Sequence, residues 1–333
     1  MKRLAAAAVL AAITMPQPAL AWGATGHRLI GEAAVRGLPA EIPAFLRTRQ
    51  AALDVGEQSR EPDRSKGAGK IHDQDRDAAH FVDTEDDGRI LGGPRLDALP
   101  PTRADYEKAL QAAGQDSWKA GYLPYAIADR WQQLTRDFAM WRVLKAAETN
   151  PKWKKNRAWF TADRLRREKQ ILVTLGELSH FVADGSQPLH LSNHYNGWGD
   201  YPNPQGFTTA RIHSSVDTDI VLRGGTGSLT AAMSPLRLCN CSVEARTRDY
   251  LLSNARLAIP LYELEKAGGL KAGDPRGPAF ARKQMALGAS ELRDVIVEAW
   301  RASETQTVGW RPIPVKDVLS GKTDPYAALY GID

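Results

Sequence analysis

The chain is expected to be all-α, one mainly helical domain, and three observations point there. Apolar residues recur at three- and four-residue spacing over long stretches, the period of a helix with one buried face. No convincing alternating series marks a β-strand. Glycine- and proline-rich breakers separate the periodic runs, with no internal repeat or low-complexity block.

In chain order, the first segment reads as targeting. Lys2 and Arg3 precede an apolar stretch from Leu4 to Ile13, and Ala19-Leu20-Ala21 is a small-x-small cleavage signal. The apolar run is too short for a bilayer, which needs about 20 apolar residues. Residues 1–21 are therefore expected to be a signal peptide, leaving Trp22 as the first residue of a periplasmic or secreted protein. Losing Lys2 and Arg3 lowers the formal net charge from +5 to +3, a mild balance that names no partner.

Helical runs are expected at about His27 to Val35, Pro124 to Thr149, Thr161 to Ala183, Val243 to Leu264 and Pro278 to Ala302. Breakers fall between them, among them Gly67 to Lys70, Pro202 to Gly206 and Gly273 to Pro278. The helical domain is expected to span 22–302, and the Pro/Gly-containing segment 303–333 to form a tail packed on or near it. Cations crowd between Lys152 and Lys169. They read first as a solvated helix face and second as a surface that attracts polyanions. Cys239 and Cys241 stand one residue apart; they could form a small bridge or stay thiols, and read as a local loop feature.

The chemistry is carried by histidines and carboxylates. Five of the seven histidines fall into a spaced set: Trp22-x4-His27, Asp63, His80, His180-x3-Asp184-x5-His190 and His213-x3-Asp217. Imidazole and carboxylate are ligands that a borderline cation such as zinc selects, and nine positions exceed what one ion needs. His180 and Asp184 at i, i+4 share a helix face. Gln187-Pro188 should end that helix and allow His190 to return to the same place. His213 and Asp217 repeat the device on the next helical stretch. His72 and His194 stay outside the set, His194 close enough to line the site.

These motifs resemble the single-strand-specific tri-zinc nucleases of fungi and plants, whose helical fold is shared with bacterial zinc-dependent phospholipase C. Trp22-Gly-Ala-Thr-Gly-His27 is similar to their mature N-terminus, where the first residue's amine and carbonyl bind metal. His80-Phe-Val-Asp-Thr-Glu-Asp86 is similar to their second histidine motif. The resemblance implies three zinc ions. Asp63, His80, His180 and Asp184 would hold one, and His190, His213 and Asp217 a second. Trp22 and His27 would hold the third, with Asp184 bridging. Asp63 has Asp73 and Asp75 as rivals.

The resemblance also implies phosphodiester hydrolysis by metal-activated water, with Asp63 and Lys66 at the reacting centre and Lys66 stabilising charge. Phe81, Asp83 and Asn193 would bind substrate, Phe81 by stacking on a base. The expected substrate is single-stranded DNA or RNA, or nucleotides, with 3′-nucleotidase activity included. Phospholipid is the alternative, because Leu191-Ser-Asn-His-Tyr-Asn-Gly-Trp198 departs from the nucleases' Gly-Gly-Asn loop. An apolar rim of Tyr195, Trp198, Tyr201 and Phe207 could serve either substrate. A non-catalytic zinc protein is a third reading, disfavoured by ligand sets without cysteine. No obligate protein partner is implied.

Overall fold

The computed structural model describes residues 22–66 and 76–331. The expected signal peptide and the residues His72, Asp73 and Asp75 lie outside them. The molecule is 63 % helix and 3 % strand, which makes it all-α. Its frame is α1 (Gly23–Arg36), α2 (Arg49–Gln58), the single turn α3 (Glu61–Arg64), α4 (Arg103–Ala112) and the short α5 (Ser117–Ala120). The long α6 (Leu123–Thr149) and α7 (Arg157–Asp184) follow, then the short α8 (Ile220–Arg223), α9 (Val243–Ala255), α10 (Ala258–Lys266) and α11 (Arg276–Ala302).

Local chemistry starts several of these helices. Thr48, Thr102, Asp116 and Ser242 each accept a backbone N–H in the first turn that follows, relieving donors that have no partner within the helix. The run from Val243 to Leu264 divides at Arg256 and Leu257 into two helices. Asn254 uses its side chain on the Tyr250 carbonyl there, and Pro260 sits in the first turn of α10, where its missing N–H costs nothing.

α6 and α7 form a long hairpin, against which α1, α2 and α11 pack. Gly176 makes the α2 crossing possible: a Cβ there would lie 2.3 Å from the Gln58 Cβ. The close crossing delivers the carbonyl of Ser59, just past α2, to His180 on α7. One large core fills this frame. A smaller core, with Val143, Leu144, Trp153 and Phe160, lies under the C-terminal segment.

That segment carries a two-residue hairpin, β1 (Thr307–Val308) against β2 (Ile313–Pro314), then α12 (Val315–Leu319) and α13 (Tyr326–Tyr330). Val308, Val315 and Val318 are buried on the smaller core, each such side chain contributing roughly 1.5–3 kcal/mol. Cys239 and Cys241 form a disulfide. It closes a strap whose N–H groups at Ser234, Arg237 and Cys239 are taken by Ser290, Asp294 and Glu298, one per turn of α11. Among the described residues, no helix is long and apolar enough to cross a membrane.

Candidate metal centre

The C-terminal end of α7 gathers the set. Among the described residues, three groups place single ligand atoms within 4.8 Å of one another: His27, His180 and Asp184; Asp63, His80 and His180; and His190, His213 and Asp217. Asp184 lies between the first two groups. Its Oδ2 is 3.2 Å from His80 Nδ1 and 3.3 Å from His180 Nε2, while Oδ1 is 3.5 Å from His27 Nε2. One carboxylate oxygen therefore faces each side.

Backbone carbonyls orient the rings. His180 Nδ1 donates to Ser59 O at 2.7 Å, His190 Nδ1 to His80 O at 2.7 Å, and His213 Nδ1 to Tyr195 O at 2.8 Å. A carbonyl can only accept, so each Nδ1 carries a proton. His180 and His190, held neutral by burial, turn an Nε2 lone pair inward, while His213 Nε2 also meets the Asp217 carboxylate at 3.0 Å. His190 Nε2 and His213 Nε2 then face each other at 3.0 Å. His180 Nε2 faces His80 Nδ1 at 2.8 Å. Ring nitrogens that close repel unless a proton or a cation lies between them.

The electrostatics press in the same direction. Burial holds His80 and His190 well below the usual imidazole range and brings His180 down to about 3, against the opposing pull of the Ser59 carbonyl. For His213, burial also lowers, but the Asp217 carboxylate 3.0 Å away outweighs it and raises the ring. Burial pushes Asp184 well up, helped by the charges of Asp63 and Asp217. Asp217 is raised by burial as well. Asp184 Oδ1 is buried and accepts no hydrogen bond. Neutral imidazoles aimed inward, together with carboxylates starved of a counter-charge, fit divalent cations.

Local sequence explains how each ligand arrives. His180 and Asp184 are one turn apart in the last turns of α7. The helix ends at Asp184, and a 3-10 turn over Pro188–Leu191 presents His190, as Gln187-Pro188 led one to expect. Asp217 lies within a π-helical turn, Ser215–Asp219, and His213 just before it, a wider turn than the expected regular helix and one frequent at functional sites. Asp63 lies in α3, with Lys66 Nζ 3.0 Å from its Oδ1 and 3.4 Å from Asp77. Burial opposes charge on Lys66, but Asp63 and Asp77 outweigh it and keep the ammonium charged.

Trp22 is anchored by its indole, which donates to Ala183 O at 3.0 Å and Ser186 Oγ at 2.8 Å. Its backbone N–H bonds the Asp217 carboxylate. The main chain of Trp22 thus stands beside the His190 group, rather than only with His27 and Asp184. Its φ of 44° is strained for a bulky residue. Gly26 permits this, since a Cβ there would lie 2.6 Å from the Trp22 Cβ.

The expected substrate residues are placed less uniformly. Phe81 is half-buried and Asp83 buried, its carboxyl pushed well up by burial. Asn193 is buried with Oδ1 lacking a partner. None of the three lines the main cleft, about 760 Å³, which opens beside the centre at Ala79, His80 and Phe181. Its other walls include Arg76, Arg103, Arg130, Tyr122 and Tyr125, residues that no sequence motif marked. Arg103 lies 3.6 Å over the Tyr122 ring, while Arg130 pairs with Glu177 at 3.2 Å.

Of the expected apolar rim, Trp198 and Phe207 are core residues, and only Tyr195 and Tyr201 are exposed. His194 is outside the ligand groups, stacked on Trp198 at 3.7 Å. No protein-family model and no curated protein matches the chain.

Proposed function

We propose that the protein is a zinc-dependent phosphodiesterase that hydrolyses single-stranded nucleic acid in the periplasm or outside the cell. The observation that carries this reading is the convergence of three His/Asp groups, with ring nitrogens 2.8 and 3.0 Å apart, beside a cleft whose walls carry Arg76, Arg103, Tyr122 and Tyr125 among the carboxylates Glu61, Asp129, Glu177 and Glu244. Asp63, His80, His180 and Asp184 would hold one ion. His190, His213 and Asp217 would hold a second. His27 and Asp184 would hold a third, together with the amine and carbonyl of Trp22 once residues 1–21 are removed.

Bound there, zinc would supply Lewis acidity toward the phosphate and would lower the pKa of water at the site. The chain's own residues do the rest. Lys66 Nζ, kept protonated by Asp63 and Asp77, offers fixed positive charge where negative charge develops. Arg76 and Arg103 offer donors to backbone phosphates, and Tyr122 and Tyr125 add ring surface to the same cleft. Neutral Nδ1–H groups held by carbonyls keep the ligand rings from rotating.

Burial of Trp198 and Phe207 removes half of the apolar rim that either substrate could have met, and Tyr122 and Tyr125 of the cleft are the ring surface left to support the nuclease reading over phospholipase C. The test is one panel on protein beginning at Trp22: single-stranded DNA, RNA and phosphatidylcholine, with and without chelator. Turnover of nucleic acid that chelator abolishes is expected. Turnover of lipid alone removes the nuclease reading, and activity that survives chelation removes the zinc chemistry.

A further inference from the structure

The run of cations between Lys152 and Lys169 has no part in the metal centre, and the fold divides it in two. Arg164 is held by Glu148 and Glu168, Arg166 by Asp163, and Arg167 by Asp137. Lys154, Lys155 and Arg157 are exposed at the start of α7, and among the described residues they have no acidic partner.

An aromatic cluster begins two residues beyond Arg157. Trp159 meets Tyr326 and Tyr330 edge-on at 5.4 and 5.6 Å, and the two tyrosines stack at 5.1 Å. Tyr330 is 54 % exposed, and Trp310 in the hairpin turn is 82 % exposed. The Trp310 indole lies against Gly331, where a Cβ would come within 2.7 Å of its Nε1. Arg311 follows, exposed and also without an acidic partner among the described residues. Nearby acids of the tail are engaged: Asp317 with Lys322 and Asp324 with the Tyr326 N–H. An indole this exposed is unusual unless something covers it.

We propose that this surface is a second docking site for single-stranded nucleic acid, remote from the metal centre. It deepens the nuclease reading and takes its substrate class from it. Ring faces accept any base, at about 1–3 kcal/mol each, while unpaired cations take backbone phosphates. Arg157 and His180 lie 23 residues apart on one helix, or about 35 Å at 1.5 Å per residue. At a rise of about 3.4 Å per nucleotide, a strand of about 10 nucleotides reaches both ends. The surface therefore acts on long strands and leaves dinucleotides untouched.

The experiment uses the whole mature chain, a triple variant (Lys154→Ala, Lys155→Ala, Arg157→Ala) and Trp310→Ala. Affinity for a labelled phosphorothioate oligothymidylate of about 30 nucleotides is measured across salt concentrations, beside kcat/KM on that length and on a dinucleotide. The triple variant should lower the slope of log K against log salt by about 2, at roughly 0.7 per lost phosphate contact. Trp310→Ala should weaken binding about tenfold. Dinucleotide turnover should stay at the wild-type value in both.

Wild-type affinity and salt slope in both variants overturn the proposal. So does binding to phosphatidylglycerol vesicles that depends on these residues while strand binding does not. Strand binding that depends on them in a protein that cleaves no nucleic acid supports the surface and removes only the nuclease reading.

Discussion

His190 Nε2 and His213 Nε2 stand 3.0 Å apart while both Nδ1 atoms donate to backbone carbonyls, of His80 and Tyr195. The carbonyls hold a proton on each Nδ1, so both Nε2 atoms point at one place, where a cation would join them. Substituting alanine for either ring should remove about one zinc equivalent and most activity, because one lone pair cannot hold the ion. Metal content by atomic spectroscopy checks this; wild-type stoichiometry in both variants would falsify the assignment of that group.

Asp184 separates a metal role from a structural one. Burial already pushes its carboxyl toward the neutral form in the metal-free protein, so Asp184→Asn should leave metal-free stability unchanged or slightly raised. In zinc, the same variant should melt roughly 10 °C below wild type, having lost the stabilisation that ion binding adds. Thermal melts with zinc and with chelator separate the two. Equal losses in both conditions would make Asp184 a packing residue.

Lys66 offers a charge without being a ligand. Lys66→Met should reduce kcat about 100- to 1,000-fold, the scale for removing one group that stabilises developing charge, with bound zinc unchanged. Unaltered kcat with full metal content would place Lys66 outside the reaction.

Gly26 is confined by Trp22. A Cβ there meets the Trp22 Cβ at 2.6 Å, so Gly26→Ala should cost about 1–3 kcal/mol by overpacking and displace Trp22 from Asp217. Loss of stability together with weakened zinc binding is expected in denaturant titrations run with and without metal. Wild-type stability would show that α1 can shift freely.

Acid should weaken the metal-free fold. Unfolded imidazole takes a proton below its ordinary 6.5, whereas folded His180 does so only near 3. Between those values the unfolded state binds more protons, so this contribution falls as the pH is lowered. His80 and His190 act in the same direction. Asp184 and Asp217 act oppositely, stabilising at low pH and losing that contribution as pH rises through their raised folded values. Urea midpoints in chelator from about pH 6.5 down to 4 should therefore fall less steeply in His180→Asn than in wild type. Identical slopes would mean that His180 is protonated as easily folded as unfolded.

Much of the ligand set is local and so was legible. His180 with Asp184 follows from helical period, and His190 from the turn that Pro188 opens after α7. Helix positions followed from apolar period, with the split at Arg256 hidden because both halves bury the same kind of face. Arg76, Arg103 and Arg130 carried no signal, since an arginine becomes part of a cleft only when helices distant in the chain close around it. The basic run looked uniform, and only packing separated Arg164 and Arg167, paired with acids, from Lys154 and Arg157.

The amino-acid sequence by itself determined the all-α class and which side chains share a helical turn, because both depend on spacing within a few residues. The family resemblance already implied how the ligands group; tertiary structure alone decided how each ring is oriented. His180 takes its orientation from Ser59, 121 residues away, and His190 from His80, 110 residues away. No local period encodes such contacts; they exist only once α2 has crossed α7 at Gly176 and the core has closed.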